Sequence, residues 1–160
     1  MAIAIGTGIS LFIMLVMFIF GLYTRRNFVW VILCLTWGAI GYESVILLNP
    51  KLLEMKVSSQ AISILIIPII QQIFVVAGVF FVVWREKFDN LIDGAVYGFA
   101  TGLGYAAYEN ILSMPPYLDQ GVESALLQSF SLSMVYATAS GIIGIAISQF
   151  YFRHRVKRTV

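Results

Sequence analysis

The apolar positions of this chain come in long runs, each about the 20 residues that an α-helix needs to cross a hydrocarbon core. Five runs follow one another, at 2–23, 28–48, 59–84, 94–112 and 125–151. Short polar breaks separate them: "TRRN", "NPKLLEMKVSS", "REKFDNLID" and "SMPPYLDQGVES". The pattern predicts an all-α fold, a polytopic membrane bundle of five transmembrane helices forming one domain over 1–160. Lipid, rather than water, is the expected solvent for most of its surface.

Charge then orients the bundle. Arg25, Arg26, Arg85, Lys87, Arg153, Arg155, Lys157 and Arg158 fall on one side of the five spans, and only Lys51 and Lys56 on the other. The excess of basic residues marks the cytoplasmic side, which places the N-terminus outside and the C-terminus inside. The first run has no basic stretch before it and is followed by Arg25 and Arg26, which suits an N-out anchor better than a signal peptide. The basic segment 152–160 is expected as a cytoplasmic tail touching anionic head groups.

Composition narrows the function classes. The chain is 60% hydrophobic and 11% charged over 160 residues, and its net charge of +2 gives no reason to expect nucleic acid as a partner. One cysteine, Cys34, allows no internal disulfide, and one histidine, His154, lies in the basic segment. A buried zinc site of the His/Cys type therefore has almost no ligands to draw on, and no metal or other cofactor is expected. The expected partners are the bilayer and other integral membrane proteins.

Polar side chains inside the spans converge on one depth. Counted from the cytoplasmic ends, Glu43 is 15 residues from Phe28, Gln71 is 13 from Trp84, Glu109 is 15 from Gly94, and Tyr136 is 15 from Tyr151. At a rise of 1.5 Å per residue, all four sit roughly 20–23 Å from the inner boundary. With Gln72 and Asn110 they form a predicted polar layer. An ionised carboxylate near mid-membrane costs about 3 kcal/mol on insertion scales, so Glu43 and Glu109 are expected to face the bundle interior. Two readings stay open: acids satisfied by Gln, Ser and Tyr across helices, or a site with chemistry or ligand binding.

The fourth run carries Gly94, Gly98 and Gly102 four residues apart, with Gly104 beside them. Small residues at this spacing let another helix backbone approach closely, and close packing is the expected role. A flat cofactor on the smooth stripe is the other reading, and nothing else in the sequence asks for one. Asp93, directly before Gly94, is a predicted N-cap favoured by the helix dipole; with Asp89 it offers the other reading of a cation or partner-loop site.

The segment "KFDNLIDGAVYGFATGLGYAAYENI", residues 87–111, resembles the signature of the PrsW family of intramembrane proteases, within the superfamily of CAAX- and bacteriocin-processing membrane proteases. The matching positions include Phe88, Asp89, Asn90, Asp93, Gly94, Tyr97, Gly98, Gly102, Gly104, Tyr105, Glu109 and Asn110. The resemblance covers about residues 60–150. It implies a first motif, Pro-x-x-Glu-Glu-x-x-Lys, where this chain reads "PIIQQIFV". The two glutamates thus fall on Gln71 and Gln72, and the lysine on Val75. The motif glutamate of the next helix is kept as Glu109, and a later histidine aligns with Tyr136. An arginine usual about eight residues before that histidine aligns with Gln128.

Peptide hydrolysis in a membrane requires water activated by a carboxylate base, a metal, or both. Glutamine takes no proton at neutral pH, and tyrosine does not replace a neutral imidazole as base or zinc ligand. The resemblance therefore implies a degenerate member, a pseudoprotease acting as a subunit, scaffold or binding partner in a bacterial cytoplasmic membrane assembly. Two alternatives stand beside it. One is an active peptidase using Glu109 and Glu43 as an acid/base pair. The other is a proton or ion transport element, because intramembrane acids often mark ion paths.

Overall fold

A computed structural model describes Gly8, Phe12, Ile13, Leu15, residues 28–53, 66–85, 91–113, Asp119 and residues 121–158. Most of the first predicted span, the basic residues Arg25, Arg26, Lys56 and Lys87, and Asp89 lie outside the described residues. Four helices account for nearly all the rest: α1 (Phe28–Leu53), α2 (Ile67–Arg85), α3 (Leu91–Ser113) and α4 (Val122–Arg158). Among the described residues the chain is all-helical. The helices Val29–Leu48 and Val122–Phe152 are long and apolar enough to cross a membrane, and Ile67–Val82 is a shorter apolar helix.

Two helix ends differ from the sequence expectation. Helix α3 begins at Leu91, so Asp93 sits inside the first turn instead of preceding it. Its carboxylate still meets the positive end of the helix dipole, which acts over the whole first turn. Helix α4 continues to Arg158, through most of the segment expected as a separate tail. No glycine or proline interrupts that stretch, and basic residues at a helix C-terminus complement the dipole. At its other end, α4 is entered through Gly121, whose φ of 117° lies where only glycine sits without strain. The Ala125 N–H donates to the Gly121 carbonyl at 3.2 Å and closes the first turn.

Helix α3 is the centre of the packing. It lies most extensively against α4 and next against α1, while α2 packs mainly on α1. Small residues make both α3 contacts possible. A Cβ added to Gly98 would collide with the Ser140 carbonyl, and one added to Gly102 with the Tyr136 carbonyl. One at Gly94 would strike Ser148 Oγ and the Gly144 carbonyl, and Gly144 is equally tight against Gly94. Gly104, in contrast, faces α1, where a Cβ would meet the Leu35 carbonyl; Gly38 of α1 returns the contact at Thr101. Two residues on from Gly102 is about 200° around a helix, so Gly104 serves a different interface from the other three.

Apolar packing completes the bundle in two clusters. Val31, Cys34, Val79, Val82, Tyr97 and Ala100 fill the region among α1, α2 and α3. Leu103 and Ala137 fill the region between α3 and α4, and Ile13 from the first apolar run packs with them.

Candidate functional site

The polar layer assembles around Tyr136. Helix α2 brings Gln71, which is 4% exposed, α3 brings Glu109, and α4 brings Tyr136. The Tyr136 hydroxyl lies within side-chain hydrogen-bonding reach of both Glu109 and Gln71. With Glu109 ionised, the carboxylate can only accept, so the hydroxyl proton goes to Glu109 and Tyr136 accepts in turn from the Gln71 amide. The outcome is a directed chain, Gln71 N–H to Tyr136 O–H to Glu109. Three residues from 71 to 136 in sequence meet because α2 and α4 both pack on α3.

Tyrosines surround this chain. The Tyr105 ring lies 4.8 Å from that of Tyr136 and 5.0 Å from that of Tyr42, nearly perpendicular to the latter at 80°. Tyr42 also stacks at 5.7 Å with Tyr108, so four rings run from α4 through α3 to α1. Edge-to-face contacts between aromatic rings add about 0.5–1.5 kcal/mol each beyond burial. Sequence reasoning singled out Tyr136, counted Tyr105 only as a signature position, and passed over Tyr42 and Tyr108. Their signal was available: Tyr105 and Tyr108 stand four and one residues before Glu109, at the depth of the polar layer.

Glu43 is placed differently from expectation. It is exposed on α1, and its partner is the hydroxyl of Tyr108. The cause is the face α1 buries: Val31, Cys34, Gly38, Gly41 and Val45 turn inward, and Glu43, about 200° on from Gly41, turns out. Tyr42 lies within electrostatic reach of both Glu43 and Glu109, so tyrosine intervenes between the acids. Asn110, one residue on from Glu109, joins a separate contact between α3 and α4. Its side-chain amide donates to Ser133 Oγ at 3.2 Å and to the Ser129 carbonyl at 3.4 Å. Val75 is 1% exposed, one turn along α2 from Gln71.

Several acceptors in this region are enclosed without a hydrogen-bond partner: Glu109 Oε2, Gln72 Oε1 and Asn110 Oδ1. The layer therefore has hydrogen-bonding capacity beyond what its own side chains use.

The family described as PrsW family intramembrane metalloprotease matches residues 26–160. The chain belongs to the PrsW family. A relative, "Protease PrsW" of Geobacillus kaustophilus (strain HTA426), is 34% identical over 79 residues, covering 49% of this chain and 34% of that protein. The aligned stretch thus spans about a third of the relative's length. No solved structure matches this chain. Membership in the PrsW family, together with the apolar helices, makes this an integral membrane protein related to intramembrane proteases.

The PrsW family name also implies a metal, and the side chains that converge among the described residues do not fit one. The converging donors are one carboxylate, one phenol and one carboxamide, whereas a catalytic zinc ion takes three ligands from histidine, cysteine and carboxylate. Among the described residues no three His, Cys, Asp or Glu side chains gather into a metal-binding group.

Proposed function

We propose that this PrsW-family chain is catalytically inactive and serves as a subunit or scaffold in a larger membrane protein assembly of the bacterial cytoplasmic membrane. The observation that carries the reading is the convergence of Gln71, Tyr136 and Glu109 from three helices, one amide, one phenol and one carboxyl. By the family resemblance, Gln71, Gln72, Val75 and Tyr136 fall where the pattern has two glutamates, a lysine and a histidine. Each replacement removes a charge or a titrating nitrogen while keeping a group that packs or hydrogen-bonds. A positioned general base alone contributes about 10²–10⁴-fold to such a reaction, and this site has traded it for an amide. Val75 follows from the same change, because a lysine there without acidic neighbours is an unpaired cation in lipid.

In this reading the chain crosses the membrane five times, with the N-terminus outside and the basic C-terminal end of α4 in the cytoplasm. The tight glycine contacts of α3 then hold the bundle together as a rigid body that other membrane proteins pack against.

Cleavage of a reporter transmembrane substrate tests it. Wild type and Glu109→Gln are expected to match empty membranes, while the combined variant Gln71→Glu, Gln72→Glu, Val75→Lys, Tyr136→His gains cleavage. Wild-type cleavage abolished by Glu109→Gln would overturn the proposal in favour of an active peptidase. Gentle detergent extraction at native expression should also recover stoichiometric membrane partners; recovery as a lone monomer counts against it.

A further inference from the structure

The outer face of α1 is exposed and apolar, with one carboxylate in it. Val29, Leu33, Thr36, Ile40, Glu43 and Leu47 are all exposed and follow one another at steps of four, three, four, three and four. That is the 3.5-residue period with which one helix packs along another. Five of the six suit either lipid or a helix. Thr36 turns its hydroxyl back to the Ile32 carbonyl at 2.6 Å, so its polar atom is satisfied within α1. Glu43 is the exception, because its partner is the neutral phenol of Tyr108, itself only partly buried.

A carboxylate facing lipid at mid-membrane depth is strongly unfavourable, so intramembrane acids face protein or water, and a buried charge takes an opposite charge or hydrogen-bonding partners. A single polar residue in an otherwise apolar seam also selects the partner and the register of packing. Resting on the non-catalytic subunit reading above, we propose that this seam docks a membrane-spanning helix of another protein that carries a lysine or arginine opposite Glu43. A second copy of this chain fits less well, since a symmetric seam brings two Glu43 carboxylates together. The first apolar run of this chain also lacks the cation, its only basic residues being Arg25 and Arg26 beyond its end.

The test places a photo-crosslinking amino acid at Leu47 in the full chain, in native membranes, with Ile142 of α4 as the exposed control position. Crosslinking from Leu47 to a membrane protein is expected, with Lys or Arg in the crosslinked helix. Glu43→Gln should lower the yield about tenfold, the effect of a single lost charge-assisted contact. Ile40→Trp, which blocks the seam and leaves the carboxylate, should lower it as well. Glu43→Lys combined with an acidic residue at the partner's basic position should restore it. Shielding of Cys34 from maleimide reports that each variant is folded. Crosslinks to lipid only, to a second copy, or to a helix without a basic residue overturn the proposal, as does a yield unchanged in Glu43→Gln. Reporter cleavage by wild type would instead overturn the subunit reading, whatever the crosslinking result.

Discussion

The Tyr136 hydroxyl meets the Glu109 carboxyl, joining α4 to α3 at the depth where the intramembrane polar residues converge. This contact is also the point where Gln71 of α2 attaches, so one phenol oxygen ties three helices together. Tyr136→Phe keeps the ring packing and removes both bonds at once. It is expected to lower stability by about 1–3 kcal/mol, the range for stranding a buried polar partner. Thermal unfolding in detergent measures this. In a Glu109→Gln background the Tyr136→Phe penalty should shrink, because a neutral amide is less costly to leave unpaired than a carboxylate.

Gly98 and Gly141 lie on facing helices and should respond oppositely to the same change. A Cβ at Gly98 strikes the Ser140 carbonyl, which cannot move without separating α3 from α4. A Cβ at Gly141 finds the Ala95 carbonyl and the Phe99 ring at 3.7 Å, ordinary contact distance. Gly98→Ala should cost about 1–3 kcal/mol or more by overpacking, and Gly141→Ala should be neutral or mildly stabilising. Unfolding midpoints of the two variants, compared side by side, check the assignment.

Asn110 is fully buried and donates to Ser133 Oγ and to the Ser129 carbonyl. Interhelical hydrogen bonds in membranes average about 0.6 kcal/mol each, so Asn110→Ala should lose roughly 1 kcal/mol from bonding, with a further loss from the cavity. Ser133→Ala should lose less, because the Ser129 carbonyl still receives the amide. A double-mutant cycle between Asn110 and Ser133 should show coupling, and strict additivity would mean the 3.2 Å contact carries no energy.

Trp37 of α1 spans to α2 through its indole N–H, which donates to the Phe74 carbonyl at 2.8 Å. Its ring also fills the space over Gly78, where a Cβ would collide with it. Gly78→Ala should therefore destabilise wild type, and do so much less in a Trp37→Leu background. Trp fluorescence is complicated by the other two tryptophans, so the readout is again the unfolding midpoint, for the four members of the cycle.

The all-helical membrane character of this protein was readable from run length alone, since 20 apolar residues dominate any other local preference. Glu109, Gln71 and Tyr136 could be assigned to one level by counting residues, because helical rise is constant. Depth, however, is only one coordinate. Counting puts Glu43 at the same level, yet it faces outward, because the side of α1 that turns inward is chosen by Gly38, Gly41 and their partners on α3. The same geometry sends Gly104 to α1 while Gly94, Gly98 and Gly102 pack on α4. In a membrane, apolar side chains suit lipid and core alike, so hydrophobic pattern cannot say which face of a helix is buried. The amino-acid sequence by itself determined that this chain lives in lipid, belongs by its motif to an intramembrane protease family, and carries a polar layer. Only the tertiary structure decided which polar groups meet, because close backbone approach, and not hydrophobicity, orients helices that are greasy all round.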